Sequence, residues 1–228
     1  MNEVLNQYLL SCLHPWHTQE LLRSKRHHNR EVESSNVIEL VQSRDEKKVE
    51  EQLGVSFIES LSISWLFRVF YACYSLIGMF MGLHLFESFA LPGTAISTGQ
   101  SWVSSIAIFF LLLKLVFFPL YFWLYGKFWI NIIKIFAQLF EKDDMGNIER
   151  VSEEIYANSM SSHTFLVIPI FGELFHRIGN IIFIFGGLRR NLQLSVLQSS
   201  LVILCPLLLI LFTFFLMGLS LAMLLSGF

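Results

Sequence analysis

The pattern of apolar and polar positions changes character twice along this chain. In residues 3–13, Val4, Leu5, Tyr8, Leu9, Leu10 and Leu13 share one helical face, with Asn6 and Gln7 between them. That spacing predicts a short amphipathic helix that lies along a bilayer surface or docks on a partner. After a polar stretch come three runs that are apolar on every face, approximately Leu61 to Phe86, Trp102 to Tyr125 and Leu197 to Leu225. A helix advances about 1.5 Å per residue and the hydrocarbon layer is about 30 Å thick, so each run is long enough to cross a membrane. A fourth stretch, Thr164 to Leu188, is apolar but broken by Pro169 and Gly172 and then by Glu173, His176 and Arg177. Residues 126–142 mix Phe128, Trp129, Ile132, Ile133 and Phe136 with Lys127, Lys134 and Lys142. That is the pattern of an interfacial helix or of an extension of the second span.

The cations orient these runs, because short loops rich in Lys and Arg favour the cytoplasmic side. Arg44, Lys47 and Lys48 precede the first span, and Lys127, Lys134, Lys142 and Arg150 follow the second. The intervening loop, Glu87 to Ser101, carries Pro92 and Gly93 but neither Lys nor Arg. Arg189 and Arg190 lie between the last two apolar stretches, and one crossing by Thr164–Leu188 would put them on the wrong side. Two crossings restore them: a polar-faced segment from about Glu154 to Phe171, then a short return helix from Leu174 to Leu188. The expected topology therefore has five spans, with the N-terminus cytoplasmic. A re-entrant hairpin satisfies the same charge rule. In either case Asn158, Ser159, Ser161, Ser162 and His163 must face other helices, since unsatisfied polar groups are costly in hydrocarbon.

Composition agrees with an all-α polytopic membrane protein. Hydrophobic residues make up 54% of the chain and charged residues only 15%, against about 25% in a soluble domain. Residues 1–53 hold 7 of the 16 Lys and Arg and 9 of the 18 Asp and Glu. They read as a polar cytoplasmic N-terminal region, and residues 54–228 as the transmembrane domain. The net charge of −2 is of mixed sign, so no nucleic acid is expected as a partner. Cys12, Cys73 and Cys205 are scattered without the short spacing of a zinc site or a disulfide framework, and read as small apolar residues. The N-terminus has no basic stretch ahead of its apolar residues, which argues against a cleaved signal peptide. His14, His17, His27 and His28 with Arg23, Lys25, Arg26 and Arg30 form a basic stretch without metal-ligand geometry; it reads as a solvated or headgroup-facing surface.

The C-terminal half carries a further pattern. Phe165 to Gly172 reads Phe-Leu-Val-Ile-Pro-Ile-Phe-Gly, followed by an apolar helix, Gly186-Gly187-Leu188-Arg189-Arg190, and a last helix containing Pro206-Leu207-Leu208. This resembles the bacterial branch of the Yip family, the Rab-GTPase-interacting protein domain, over about residues 100–226. The resemblance implies a five-helix fold with a cytoplasmic N-terminal region and residence in a bacterial cytoplasmic (inner) membrane; its eukaryotic members imply roles in vesicle trafficking and membrane shaping, and for the bacterial branch it implies fold more than activity. The third crossing is more polar here than that pattern, and the N-terminal region has no counterpart in it.

Several polar and small residues stand out against the apolar background. Glu173, His176 and Arg177 are spaced i, i+3 and i+4 and share a helix face. They read either as a local ion pair steadying the Pro169–Gly172 turn or as part of a functional path, since intramembrane ionisable groups are costly. Lys114, near the middle of the second span, either pairs with Glu173 or reaches water through local thinning of the bilayer. Arg68, nearer the start of the first span, is expected to snorkel to headgroups. Gly78 with Gly82, and Gly218 with Ala222, form small-x-x-x-small steps for close helix packing, either within the subunit or in a homo-oligomer. The chain has no His-Glu-x-x-His, no Gly-x-Ser-x-Gly and no phosphate loop. The expectation is a non-enzymatic scaffold or assembly factor without a cofactor, bound to the lipid bilayer and to membrane or cytoplasmic proteins. The alternative is a transporter or channel subunit with a polar path near Lys114 and Glu173.

Overall fold

The structure, a computed structural model, describes residues 2–36, 54–89, 96–140 and 148–226. The three apolar runs become its three longest helices: α3 (Phe57–Phe89), α4 (Ile96–Leu139) and α7 (Val196–Ser226). Two of them begin at reciprocal caps. The backbone N–H of Ser56 donates to Glu59 at 2.9 Å while the Glu59 N–H donates back to Ser56 Oγ at 3.2 Å, and Ser195 and Gln198 repeat the arrangement at 2.8 and 3.2 Å. Each pair satisfies two amide donors that a helix start leaves open. Around them lie α1 (Asn2–Leu13), α2 (Pro15–Asn36), α5 (Ile148–Ser159) and α6 (Gly172–Arg190), with a 3-10 segment, Met160–Val167, between α5 and the turn into α6. No strand occurs among the described residues.

α4 is 44 residues long, about 66 Å at the helical rise, and takes residues 126–139 in as a continuation of the second span. Pro119 lies inside it. A proline has no N–H to offer the carbonyl four residues earlier, which here is Leu115 O. The Trp65 indole donates to that oxygen at 3.2 Å, so α3 supplies the bond that α4 gives up.

The core gathers at one end of these long helices. Phe57 of α3, Trp129, Ile130, Ile133 and Ala137 of α4, Ile155 and Tyr156 of α5, Ile184 and Leu188 of α6, and Val202 of α7 form one buried cluster. The approach is closest at Gly126, where a Cβ would come within 2.6 Å of the Phe57 ring and 2.7 Å of the Tyr156 ring. Beyond this packed body the helices stand with little company. Three stretches are long and apolar enough to cross a membrane, Phe57–Gly82, Ser105–Leu139 and Val196–Leu224, and only 11%, 6% and 6% of their most apolar windows is buried inside the protein.

The segment from Glu154 to Leu188, for which two crossings or a re-entrant hairpin were expected, folds as a helical hairpin: α5 and the 3-10 segment run out and α6 runs back. Neither arm joins the three long spans, because polar residues from Asn158 to His163 interrupt the first and Glu173, His176 and Arg177 the second. In addition, α1 and α2 dock on the hairpin of the same chain, with Tyr8, Gln19 and Leu22 buried. The compositional border near residue 53 is thus not a border in packing for α1 and α2. Arg44, Lys47, Lys48, the Pro92–Gly93 loop and Lys142 lie outside the described residues.

Candidate functional site

The hairpin is polar inside and apolar outside, the inverse of a soluble core. Ser159, Ser161, Ser162 and His163 are all fully buried, while Val167, Ile170, Phe171, Leu174, Phe175 and Ile178 are exposed. On α6 the exposed apolar positions 174, 175, 178, 181 and 182 share one face, and His176, Gly179, Phe183 and Gly187 lie on the buried one. An apolar exterior around a polar interior is the arrangement that hydrocarbon solvent favours.

Pro169 and Gly172 do form the turn. Phe171 N–H donates to Pro169 O at 2.7 Å and Gly172 N–H to Ile168 O at 3.0 Å. Ile170, between them, takes φ 68° and is 88% exposed. A β-branched residue in left-handed backbone is strained, and one so exposed relieves no packing demand within the chain. At Gly172 a Cβ would come within 2.6 Å of Phe165 O, so the turn tolerates no side chain there.

Within the hairpin, His176 Nδ1 lies 3.0 Å from Ser162 Oγ, and the His163 and His176 rings meet at a tilt of 39° with centroids 3.9 Å apart. His163 Nδ1 lies 2.8 Å from Met160 O; a carbonyl only accepts, so this nitrogen carries the hydrogen. The rings of Phe118 and Phe122 on α4 meet His163 edge to face and close the pair off. Glu173 turns the other way. Arg68 of α3 donates to it at 2.5 Å and Arg177 at 3.2 Å. Tyr74 of α3 donates to Leu166 O and Ile168 O, fixing the tip against the first span.

The sequence grouping of Glu173, His176 and Arg177 therefore divides. Glu173 and Arg177 form the expected local pair, and His176 belongs to the interior. Lys114 is not the partner of Glu173: it sits exposed on α4, and the carboxylate is held by Arg68 and Arg177. Arg68 in turn does not simply snorkel. Among the described residues, and apart from their own helix backbone, Gly78, Gly82 and Gly218 have no atom within 4 Å of where a Cβ would stand, and Ala222 is exposed, so these small residues pack closely against none of those residues.

At the base of the hairpin α1 and α2 act as a clamp, its receptor lying in the same chain, which the apolar face of residues 3–13 alone did not indicate. Tyr8 OH donates to Met160 O at 2.5 Å and shares a hydrogen bond with Ser64 Oγ at 2.8 Å, joining α1, α3 and the hairpin. Asn191 Nδ2 donates to Gln19 at 2.7 Å, and Arg26 engages both Glu154 and Asn191. Arg190 pairs with Glu20 at 2.7 Å and lies over the Trp16 ring. Burial pushes the Glu154 carboxyl above its ordinary range, while Arg26 and Arg150 pull it back. Part of the basic stretch expected to face headgroups is thus spent on the hairpin instead.

The described residues contain no group of three or more His, Cys, Asp or Glu placed to hold a metal ion. Comparison with known proteins finds no matching family model, no matching curated protein and no matching solved structure.

Proposed function

We propose that this chain is a non-catalytic, multi-pass membrane scaffold that binds protein partners within and beside the bilayer. The observation that carries the reading is the near-complete exposure of the three long apolar helices beyond a well-packed body, above all α7, which is exposed from Leu207 to Leu224. Lipid can cover such faces, but a rigid base holding separate apolar helices also presents them to other spanning helices. Gly78, Gly82 and Gly218 lie on these free stretches, where small residues permit close approach by another subunit or a partner.

The proposed topology has three crossings and one re-entrant hairpin, with the body cytoplasmic. The start of α3, the end of α4 and the start of α7 all belong to the body, and so do Lys127, Lys134, Arg150, Arg189 and Arg190. One cation-rich end for all three helices is what the charge rule asks for, and the hairpin provides it without two further crossings. The Yip-like residues fall at its joints: Pro169–Gly172 at the turn, Gly186–Arg190 at the end of α6, and Pro206 in α7. A Yip-like trafficking or assembly role in a bacterial inner membrane is consistent with that placement. A transporter needs a polar path that includes Lys114, and Lys114 stands apart from the hairpin interior.

Two measurements test this. A photo-crosslinking residue at Phe215 in native membranes is expected to yield one protein adduct of defined mass, and the purified protein in liposomes to pass neither solute nor protons. Flux that disappears in a Glu173→Gln, His176→Ala variant, with no discrete adduct, would replace the scaffold by a transporter.

A further inference from the structure

Lys114 is exposed on α4, and among the described residues it has neither an ion pair nor a hydrogen bond. The span that holds it starts at Ser105, and α4 reaches the packed body at Gly126. At a helical rise of about 1.5 Å per residue, Lys114 lies about 14 Å from the first and about 18 Å from the second. An extended lysine side chain reaches about 6 Å, too little to carry its charge to either surface. Lipid tails offer a charge nothing, so an ionisable group at that depth calls for a counter-charge. Lys114 also belongs to a row. Phe110, Lys114, Phe117, Tyr121, Leu124 and Phe128 alternate steps of four and three residues, and all are exposed. That is the spacing of a helix–helix seam, and no other described helix buries it. A single lysine in such a seam selects both the partner and its register.

A second copy of this chain does not complete the seam. Apart from Glu59, which caps the start of α3, the three spans contain no Asp or Glu, and Glu173 of the hairpin is already held by Arg68 and Arg177. A parallel pair of α4 helices would set Lys114 against Lys114, which repels. We propose that the α4 row from Phe110 to Tyr121 seats a spanning helix of a different membrane protein, one that carries an aspartate or glutamate near its middle. The carboxylate meets Lys114, and the aromatic side chains on either side pack against the incoming helix and exclude lipid. This rests on the scaffold reading, whose partner it specifies.

The test is energy transfer in liposomes between the full-length protein, dye-labelled at its N-terminus, and synthetic spanning peptides. The peptides are polyleucine helices with lysine-flanked ends, and they differ only in carrying Glu or Leu at the centre, or Glu in the last turn. The central-Glu peptide is expected to associate about tenfold more tightly than the other two. Lys114→Leu, at an exposed position, should keep the basal Tm and erase that preference, and Lys114→Arg should retain it. Adding Val116→Lys to Lys114→Leu restores a lysine at nearly the same depth but off the row, and should not restore the preference. Equal association of the three peptides would overturn the proposal and assign Lys114 to lipid phosphate reached through a thinned bilayer. Recovery with Val116→Lys would also overturn it, because charge at that depth would then suffice without the row. A discrete Phe215 adduct together with peptides that associate alike would remove this docking face and leave the scaffold standing.

Discussion

The two ends of the long helices obey different rules. At the body end, α3, α4 and α7 meet the hairpin and the clamp in close contact, and Gly126 lies against two aromatic rings. At the other end α3 carries Gly78 and Gly82 and α7 carries Gly218, none of them met by another of the described residues. A small residue in an apolar helix thus has two meanings, and only its neighbours distinguish them. The contrast extends to charge: Arg68, within reach of the hairpin, has a carboxylate partner, whereas Lys114 on α4 is exposed.

The comparison is broken most severely where the hairpin is tied to the first span. Arg68→Ala leaves Glu173 part-buried with only Arg177 opposite it, and is expected to cost about 3 kcal/mol in unfolding measured in detergent. The Arg68→Ala, Glu173→Ala double variant should lose clearly less than the sum of the two single losses; strict additivity would mean that the pair does not couple. Gly126→Val forces a side chain into the Phe57 and Tyr156 rings and is expected to cost about 2 kcal/mol. The same change at Gly82 should stay within about 0.5 kcal/mol, because none of the described residues meets it. Equal losses at the two glycines would erase the distinction between the ends. Tyr8→Phe removes the hydroxyl between Ser64 and Met160 and is expected to cost about 1 kcal/mol while raising proteolytic release of α1–α2.

The spans were legible because run length and apolar composition are local properties, and Pro169 with Gly172 announced the turn for the same reason. What sequence inspection could not supply is pairing at a distance. Arg68 and Glu173 are 105 positions apart, and Tyr8 and Met160 are 152 apart. Nothing in a single apolar run tells whether Arg68 or Lys114 faces the carboxylate, since that depends on helix rotation set by packing. The buried polar run from Asn158 to His163 was expected to face other protein groups, and it does so inside a hairpin. The clamp was half visible: the apolar face of residues 3–13 indicated a docking helix, but not that its receptor lies in the same chain. The reciprocal caps at Ser56–Glu59 and Ser195–Gln198 were readable as Ser-x-x-Glu and Ser-x-x-Gln, and would have fixed where α3 and α7 begin.

The depth of the hairpin tip decides the account most directly. A single cysteine at Ile170, with Cys12, Cys73 and Cys205 replaced by serine, can be challenged with membrane-impermeant thiol reagents from each side of sealed vesicles. A re-entrant hairpin predicts no labelling from either side, with fluorescence of a bimane at this site quenched by nitroxide-labelled lipid in the leaflet that faces Arg189 and Arg190. Labelling from the side opposite those arginines would mean that the hairpin crosses the bilayer completely, restoring five spans and contradicting the three-span account.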